Sequence, residues 1–176
     1  MIIIGLTGKK RTGKDTAGLF FKKIFNSRKK STALLSFAQP LKDAICKLFV
    51  LDPNQLETIK DQPLDEWDGR SPRDMLKHIG DSCRQFDSNS MIKNMRQRII
   101  GCGSDIVIIT DVRYDNEAQL VKELGGRVIK IDRNLGEGVE DLHSSEKGIS
   151  EHLWDSLVEN NGTLQEFEQK LIKSLV

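Results

Sequence analysis

A chain of 176 residues, 38% of them apolar, is long enough for one hydrophobic core, and its 27 basic against 26 acidic side chains leave no overall pull toward a nucleic acid polymer or a membrane surface. The apolar start "MIIIGLTG" is too short to span a bilayer and lacks the basic flank of a secretion signal. Cys46, Cys83 and Cys102 are odd in number and form no CxxC pair, which fits reduced cytosolic thiols and offers no zinc site.

Residues 2–6 form a short apolar run ending in glycine, the pattern of a buried strand. From 13 to 28, Ala17, Phe20, Phe21, Ile24 and Phe25 recur at helical spacing. A second strand is expected at 32–37. Pro40 then suits the first turn of a helix running to about 50. Residues 51–72 are polar and turn-rich, so a loop or short helix is expected. Ser71-Pro72 reads as an N-cap with proline at the first helical position, opening a helix to about 86. Another helix follows at about 89–100. "DIVIIT", 105–110, is the strongest strand in the chain. A helix at 115–124 ends at Gly125-Gly126, and a strand follows at 127–131. A stretch without a core pattern leads to a last strand at 156–160 and an amphipathic helix at 163–175. The alternation predicts a single α/β domain, three layers thick, with a mostly parallel sheet covered on both faces. Ligands in such folds sit beyond the carboxyl ends of the strands, after Leu6, Phe37, Thr110 and Ile131.

One of those places carries a motif. Gly8, Gly13 and Lys14 in "GLTGKKRTGKDT" satisfy G-x-x-x-x-G-K, after an apolar strand and before an amphipathic helix. Glycines let several backbone N–H groups converge on one oxyanion, and the helix adds its positive end. Lys14 supplies a point charge for the outer phosphates. Lys10, Arg11 and Thr12 belong to the same loop; the two cations either follow the phosphates or face solvent. The position after the lysine, usually a hydroxyl that holds Mg²⁺, is Asp15 here, with the hydroxyl one later at Thr16. Asp15 is expected to face the metal's hydration shell or an arginine on the substrate side; its simpler reading is a charge at a helix N-terminus. Asp111 ends the strongest strand, where a carboxylate can hold Mg²⁺ directly or through water. Glu117, at the next helix start, reads as favourable helix-start charge.

The loop implies a nucleoside triphosphate with Mg²⁺, and the chain length fits a small-molecule kinase better than a motor or switch. Such a kinase needs cations to bring two anions together. Candidates are Lys42, Arg70, Arg73, Arg84, Arg113 and Arg133.

"GKKRTGKDTAG", "SFAQPLKDAI", "SPRDMLKHIGDSCR", "IVIITDVRYDNEA" with "GGRVIKIDR", and "HSSEKGI" with "VENNGTLQEFEQKL" resemble successive blocks of the phage-type deoxynucleoside monophosphate kinases. The resemblance covers most of the chain. It implies a P-loop kinase fold with a short acceptor-binding insertion, about 38–100, and a short lid-like segment, about 134–146. It also implies transfer of the γ-phosphoryl of ATP to a deoxynucleoside monophosphate with Mg²⁺, in the cytoplasm (the host's, for a phage protein), and it is compatible with a homodimer. It places Phe37, Pro40, Leu41, Lys42, Arg73 and Arg84 on the acceptor side, Arg113 at the D-V-R arginine and Arg133 where the last central strand meets the lid. His143 falls in a matching block, as a base contact or a helix cap. Thr16 and Asp111 become the metal-holding pair, and Lys14, Arg113, Asp111 and Asp15 the catalytic set. Two alternatives share the loop: another small-molecule kinase, of phosphomevalonate or dephospho-coenzyme A type, and a non-catalytic nucleotide-binding regulatory module.

Overall fold

The computed structural model describes residues 1–134, 136 and 147–175. In chain order the elements are β1 (Ile2–Thr7), α1 (Lys14–Ser27), β2 (Thr32–Leu35), α2 (Gln39–Leu48), α3 (Pro53–Ile59), α4 (Pro72–Phe86), α5 (Ser90–Gly101), β3 (Ile106–Val112), α6 (Asp115–Glu123), β4 (Arg127–Asp132), β5 (Ser156–Glu159) and α7 (Leu164–Lys173). Short 3-10 turns occupy Asp65–Trp67 and Glu151–Leu153. The chain divides into two compact units, Met1–Ser36 with Met95–Val176, and Phe37–Asn94.

The first unit is built on a five-stranded sheet ordered β2-β3-β1-β4-β5. Every pairing among the described strands is parallel, where the sequence predicted a mostly parallel sheet. Strand alternation sorts the side chains onto two faces. On one, Ile4, Leu6, Ile106, Ile108, Ile129 and Ile131 pack with Phe21 and Phe25 of α1 and Phe167 and Leu171 of α7. The opposite face takes α6 so closely that a Cβ on Gly5 would lie 3.2 Å from a methyl of Val121. Both faces are therefore dry, which explains strands that are apolar throughout. Truncating a ring such as Phe21 or Phe167 to alanine should cost about 3–5 kcal/mol.

Two strand ends differ from expectation by two residues, and the other strand boundaries by at most one. β2 stops at Leu35 because Ser36 leaves the ladder: its hydroxyl donates to Asp111 Oδ2 at 2.8 Å and its carbonyl accepts from Arg98 Nη1 at 2.7 Å. β3 continues to Val112 because the register shifts between Gly5 and Thr7, letting Thr7 pair with Val112.

The second unit is helical. Asp52 caps α3, its Oδ1 accepting from the N–H groups of Asn54 at 2.8 Å and Gln55 at 3.2 Å, so part of the segment expected as loop or short helix is a defined helix. Ser71 and Asp74 form a capping box on α4: Ser71 Oγ accepts from Asp74 N at 3.2 Å and Asp74 Oδ2 from Ser71 N at 2.9 Å. Gly80 of α4 is buried, and a Cβ there would lie 3.3 Å from Leu41 of α2. Phe49 and Trp67 stack tilted with centroids 4.6 Å apart. No helix among the described residues is long and apolar enough to cross a membrane.

Candidate active site

The loop between β1 and α1 lies at the carboxyl end of the central strand, the crevice position of parallel sheets. Gly8 has φ 141, and a Cβ on it would lie 2.1 Å from the Ile131 carbonyl oxygen, so only glycine fits. Arg11 also has positive φ, at 64. Gly13, at φ 104, precedes α1 with no side-chain cap, and the first helix bond runs from Ala17 N to Gly13 O at 2.9 Å. Helix geometry aims the first-turn N–H groups out of this end.

Lys14, 8% exposed, donates from Nζ to Gly8 O at 2.8 Å and to Lys9 O at 2.6 Å. Its ammonium thus lies within the turn of the loop, held by the loop's own carbonyls. Arg11, Gly13, Lys14, Asp15, Thr16 and Arg133 line an open cleft of about 270 Å³. Asp15 and Thr16 are exposed at the start of α1, and Arg133 is exposed just beyond β4. Thr12 does not line the cleft: it is fully buried, its hydroxyl donating to Lys9 O at 2.9 Å. Lys10 is half-buried in the same loop.

Asp111 sits at the same end of the sheet, near the end of β3, and its carboxylate is oriented by the Ser36 hydroxyl. Two residues on, Arg113 begins the turn into α6. Glu117 is 2% exposed, and its Oε2 accepts from the backbone N–H groups of Arg113 at 2.8 Å and Tyr114 at 3.2 Å. It is therefore the brace of the turn that carries Arg113, more than favourable helix-start charge. Further along, Asp115 is tied to Ser150 through Ser150 N at 2.8 Å and Ser150 Oγ at 2.6 Å, and these bonds hold its carboxyl below the usual range.

The acceptor candidates of the second unit are each placed within it. Phe37 is buried, and Pro40, Leu41 and Lys42 are half-buried around the start of α2. Lys42 pairs with Glu57, which also pairs with Lys60 at 2.5 Å. Burial alone would raise the Glu57 pKa, but the two ammonium groups outweigh it and hold it low. Arg73 Nε donates to Asp61 Oδ1 at 2.5 Å, and Arg84 on α4 stands 3.9 Å from Asp81. Arg70 is exposed, beside the bridge it forms with Leu64. His143, and the lid-like segment except for residues 134 and 136, lie outside the described residues.

Sequence reasoning missed three residues here: Ser36, which orders Asp111; Arg98, which holds the Ser36 carbonyl; and Asn160, whose Nδ2 donates to Thr12 O at 2.8 Å from the end of β5. Ser36 opens the "SFAQPLKDAI" segment, but its partner is 75 positions away, and Asn160 is 148 positions from Thr12.

A parallel sheet whose central strand feeds a glycine loop, a lysine and a helix N-terminus defines a P-loop kinase fold. Solved structures agree at the level of fold: shikimate kinase from Aquifex aeolicus superimposes with a TM-score of 0.52 over 99% of this chain and 96% of that one, at 15% identity. The sequence pattern of the deoxynucleotide monophosphate kinase family matches residues 56–171. A protein of Acanthamoeba polyphaga mimivirus, described as "Putative deoxynucleotide monophosphate kinase", is 37% identical over 189 residues, covering 98% of this chain and 95% of its own. The chain belongs to the deoxynucleotide monophosphate kinase family.

Proposed function

We propose that this protein transfers the γ-phosphoryl group of ATP to a deoxynucleoside 5′-monophosphate, giving ADP and the deoxynucleoside diphosphate. The observation that carries the reading is Lys14, buried at the mouth of a glycine loop and facing the same sheet end as Asp111. Backbone N–H groups of the loop and the α1 N-terminus take the β- and γ-phosphates, and the Lys14 ammonium trades its two loop carbonyls for phosphate oxygens. An oxygen of the acceptor phosphate attacks Pγ. The bond from Pγ to the bridging β–γ oxygen breaks, and its electron pair leaves with ADP. The attacking oxygen is already largely ionised near neutral pH, so no general base is required.

Mg²⁺ suits this chemistry: the Thr16 hydroxyl and the Asp111 carboxylate, which the Ser36 hydroxyl orients, are hard oxygen donors. Bound there, Mg²⁺ would neutralise charge on the phosphate oxygens. Arg113, on its braced turn, and Arg133, lining the cleft, supply fixed positive charge for the transferring group. Asp15 faces the hydration shell or a substrate-side arginine. We assign the acceptor's phosphate to cations of the second unit, Lys42, Arg70, Arg73 and Arg84, with Phe37, Pro40 and Leu41 beside them and His143 toward the base. We assign the reaction to the cytoplasm, or to the host's cytoplasm for a protein of phage origin.

The test is ADP release with Mg·ATP against each deoxynucleoside and ribonucleoside monophosphate, with mevalonate 5-phosphate and dephospho-coenzyme A included. Release stimulated by one or more deoxynucleotides is expected. Stimulation by a non-nucleotide acceptor alone would overturn the acceptor assignment, and ATP binding without stimulated release would favour a regulatory module.

A further inference from the structure

The peptide between Thr12 and Gly13 is the joint where the loop becomes helix. Gly13 adopts φ 104 and ψ 19, a conformation that glycine reaches at little cost. The same freedom means that the chain itself holds this peptide plane weakly. A plane that carries a phosphate-binding N–H has to be fixed from outside.

Asn160 is placed to do so. Its Nδ2 donates to Thr12 O at 2.8 Å. Its backbone N–H donates to Asp132 O, the last residue of β4, at 2.7 Å, so its mounting is the sheet and not a free loop. Its amide also fills the space that a side chain at position 13 would need, since a Cβ there would lie 2.5 Å from Asn160 Nδ2. In a planar trans peptide the C=O and the next N–H point in opposite directions. A Thr12 carbonyl drawn toward Asn160 therefore turns the Gly13 N–H away from it.

We propose that Asn160 is a positioning residue that fixes the Thr12–Gly13 peptide and so aims the Gly13 N–H at the outer phosphates of ATP. Asn160 does not touch the ligand; it acts through one peptide plane. This role rests on the loop being a triphosphate cradle, as argued above.

The experiment is titration calorimetry of the full chain with ATP and with inorganic tripolyphosphate, beside thermal melts and steady-state kinetics. Asn160→Ala removes the donor. Asn160→Asp keeps the shape but sets a carboxylate against the Thr12 carbonyl. Lys170→Met is the control, because Lys170 Nζ donates to Glu159 O at 3.1 Å on the same corner without touching the loop. Asn160→Ala should weaken both ligands about ten-fold, the scale of one lost hydrogen bond, and Asn160→Asp should weaken them more. KM for the deoxynucleotide at saturating ATP should stay at the wild-type value, and Lys170→Met should bind as wild type at a similar melting temperature. Unchanged affinity in both Asn160 variants overturns the proposal. So does an equal loss in Lys170→Met, which would mean general loosening of the corner. If Asn160→Asp does not fold, Asn160→Ser, too short to reach the carbonyl, decides the same question. Wild-type protein that binds no tripolyphosphate refutes the cradle itself. Wild-type protein that binds it yet phosphorylates no deoxynucleotide refutes only the proposed reaction, and the affinities still decide Asn160.

Discussion

Replacing Lys14 by methionine keeps the apolar stem and removes one charge. Lys14 is 8% exposed and its ammonium lies 2.8 Å from Gly8 O and 2.6 Å from Lys9 O, so its surroundings are poorly screened. A unit charge about 4 Å from a phosphoryl oxygen, at an effective dielectric of about 20, contributes about 4 kcal/mol. Part of this is already present when ATP binds, and the rest appears as negative charge builds on the leaving bridge oxygen. At about 1.4 kcal/mol per decade, kcat/KM for ATP should fall by about 10² to 10³. The fold should change little, because the variant loses two hydrogen bonds but also the cost of burying an ammonium. The assay is coupled ADP release at saturating deoxynucleotide, with a thermal melt on the same preparation. A Lys14→Met enzyme within ten-fold of wild type would refute the assignment of the loop.

Gly8→Ala should lower the melting temperature and abolish ATP binding together, since its Cβ would sit 2.1 Å from the Ile131 carbonyl at a φ that alanine resists; a normal melt with wild-type affinity would contradict this. Ser36→Ala removes the hydroxyl on Asp111 Oδ2 and should lower kcat about three- to ten-fold, with the activity curve in a magnesium titration moving to higher concentration. Asp155 accepts from Val128 N at 2.8 Å and pairs with Lys122; burial raises its pKa, but these partners prevail and lower it. Its contribution to stability is therefore complete above the ordinary carboxylate value of about 4 and is lost as pH falls through the depressed value. Melts from pH 7 to 2 should show Asp155→Asn less stable than wild type at neutral pH, with the gap closing in acid. A constant gap would show that ionisation of Asp155 is not the source.

Local signals made much of this fold legible. The glycine spacing sits between an apolar strand and an amphipathic helix, and each of the three patterns has one physical solution, so β1, the loop and α1 could be placed together. Ser71-Pro72 with Asp74 announced α4 in the same way. Asp52-Pro53 is an equally good start signal for α3, but it lies in a polar stretch rich in turn residues, a pattern that fits a loop or a short helix alike. The braces of the site were hidden for another reason. Asp111 and Thr12 stand in motifs, but nothing marks Ser36 or Asn160 as their partners until the sheet order puts strand ends side by side, and no periodicity encodes that order. Glu117 is a middle case: its position is the usual one for a helix-start acid, while its burial and its two bonds to the Arg113 turn come from α6 lying flat on the sheet.

On the proposed assignment of the acceptor phosphate to Lys42 and Arg73, the ion pairs of the second unit set how charge moves when the acceptor binds. Lys42 and Arg73 sit beside Glu57 and Asp61, so this unit carries its own counter-ions. For a monophosphate arriving at either cation, binding is an exchange of one anion for another and not the neutralisation of a bare charge. An exchange releases a carboxylate to water as it takes up a phosphate, so much of the attraction cancels between the two states. Capture of the acceptor should then respond weakly to ionic strength, while discrimination shifts to shape and to the phosphate's second negative charge, which a carboxylate cannot match.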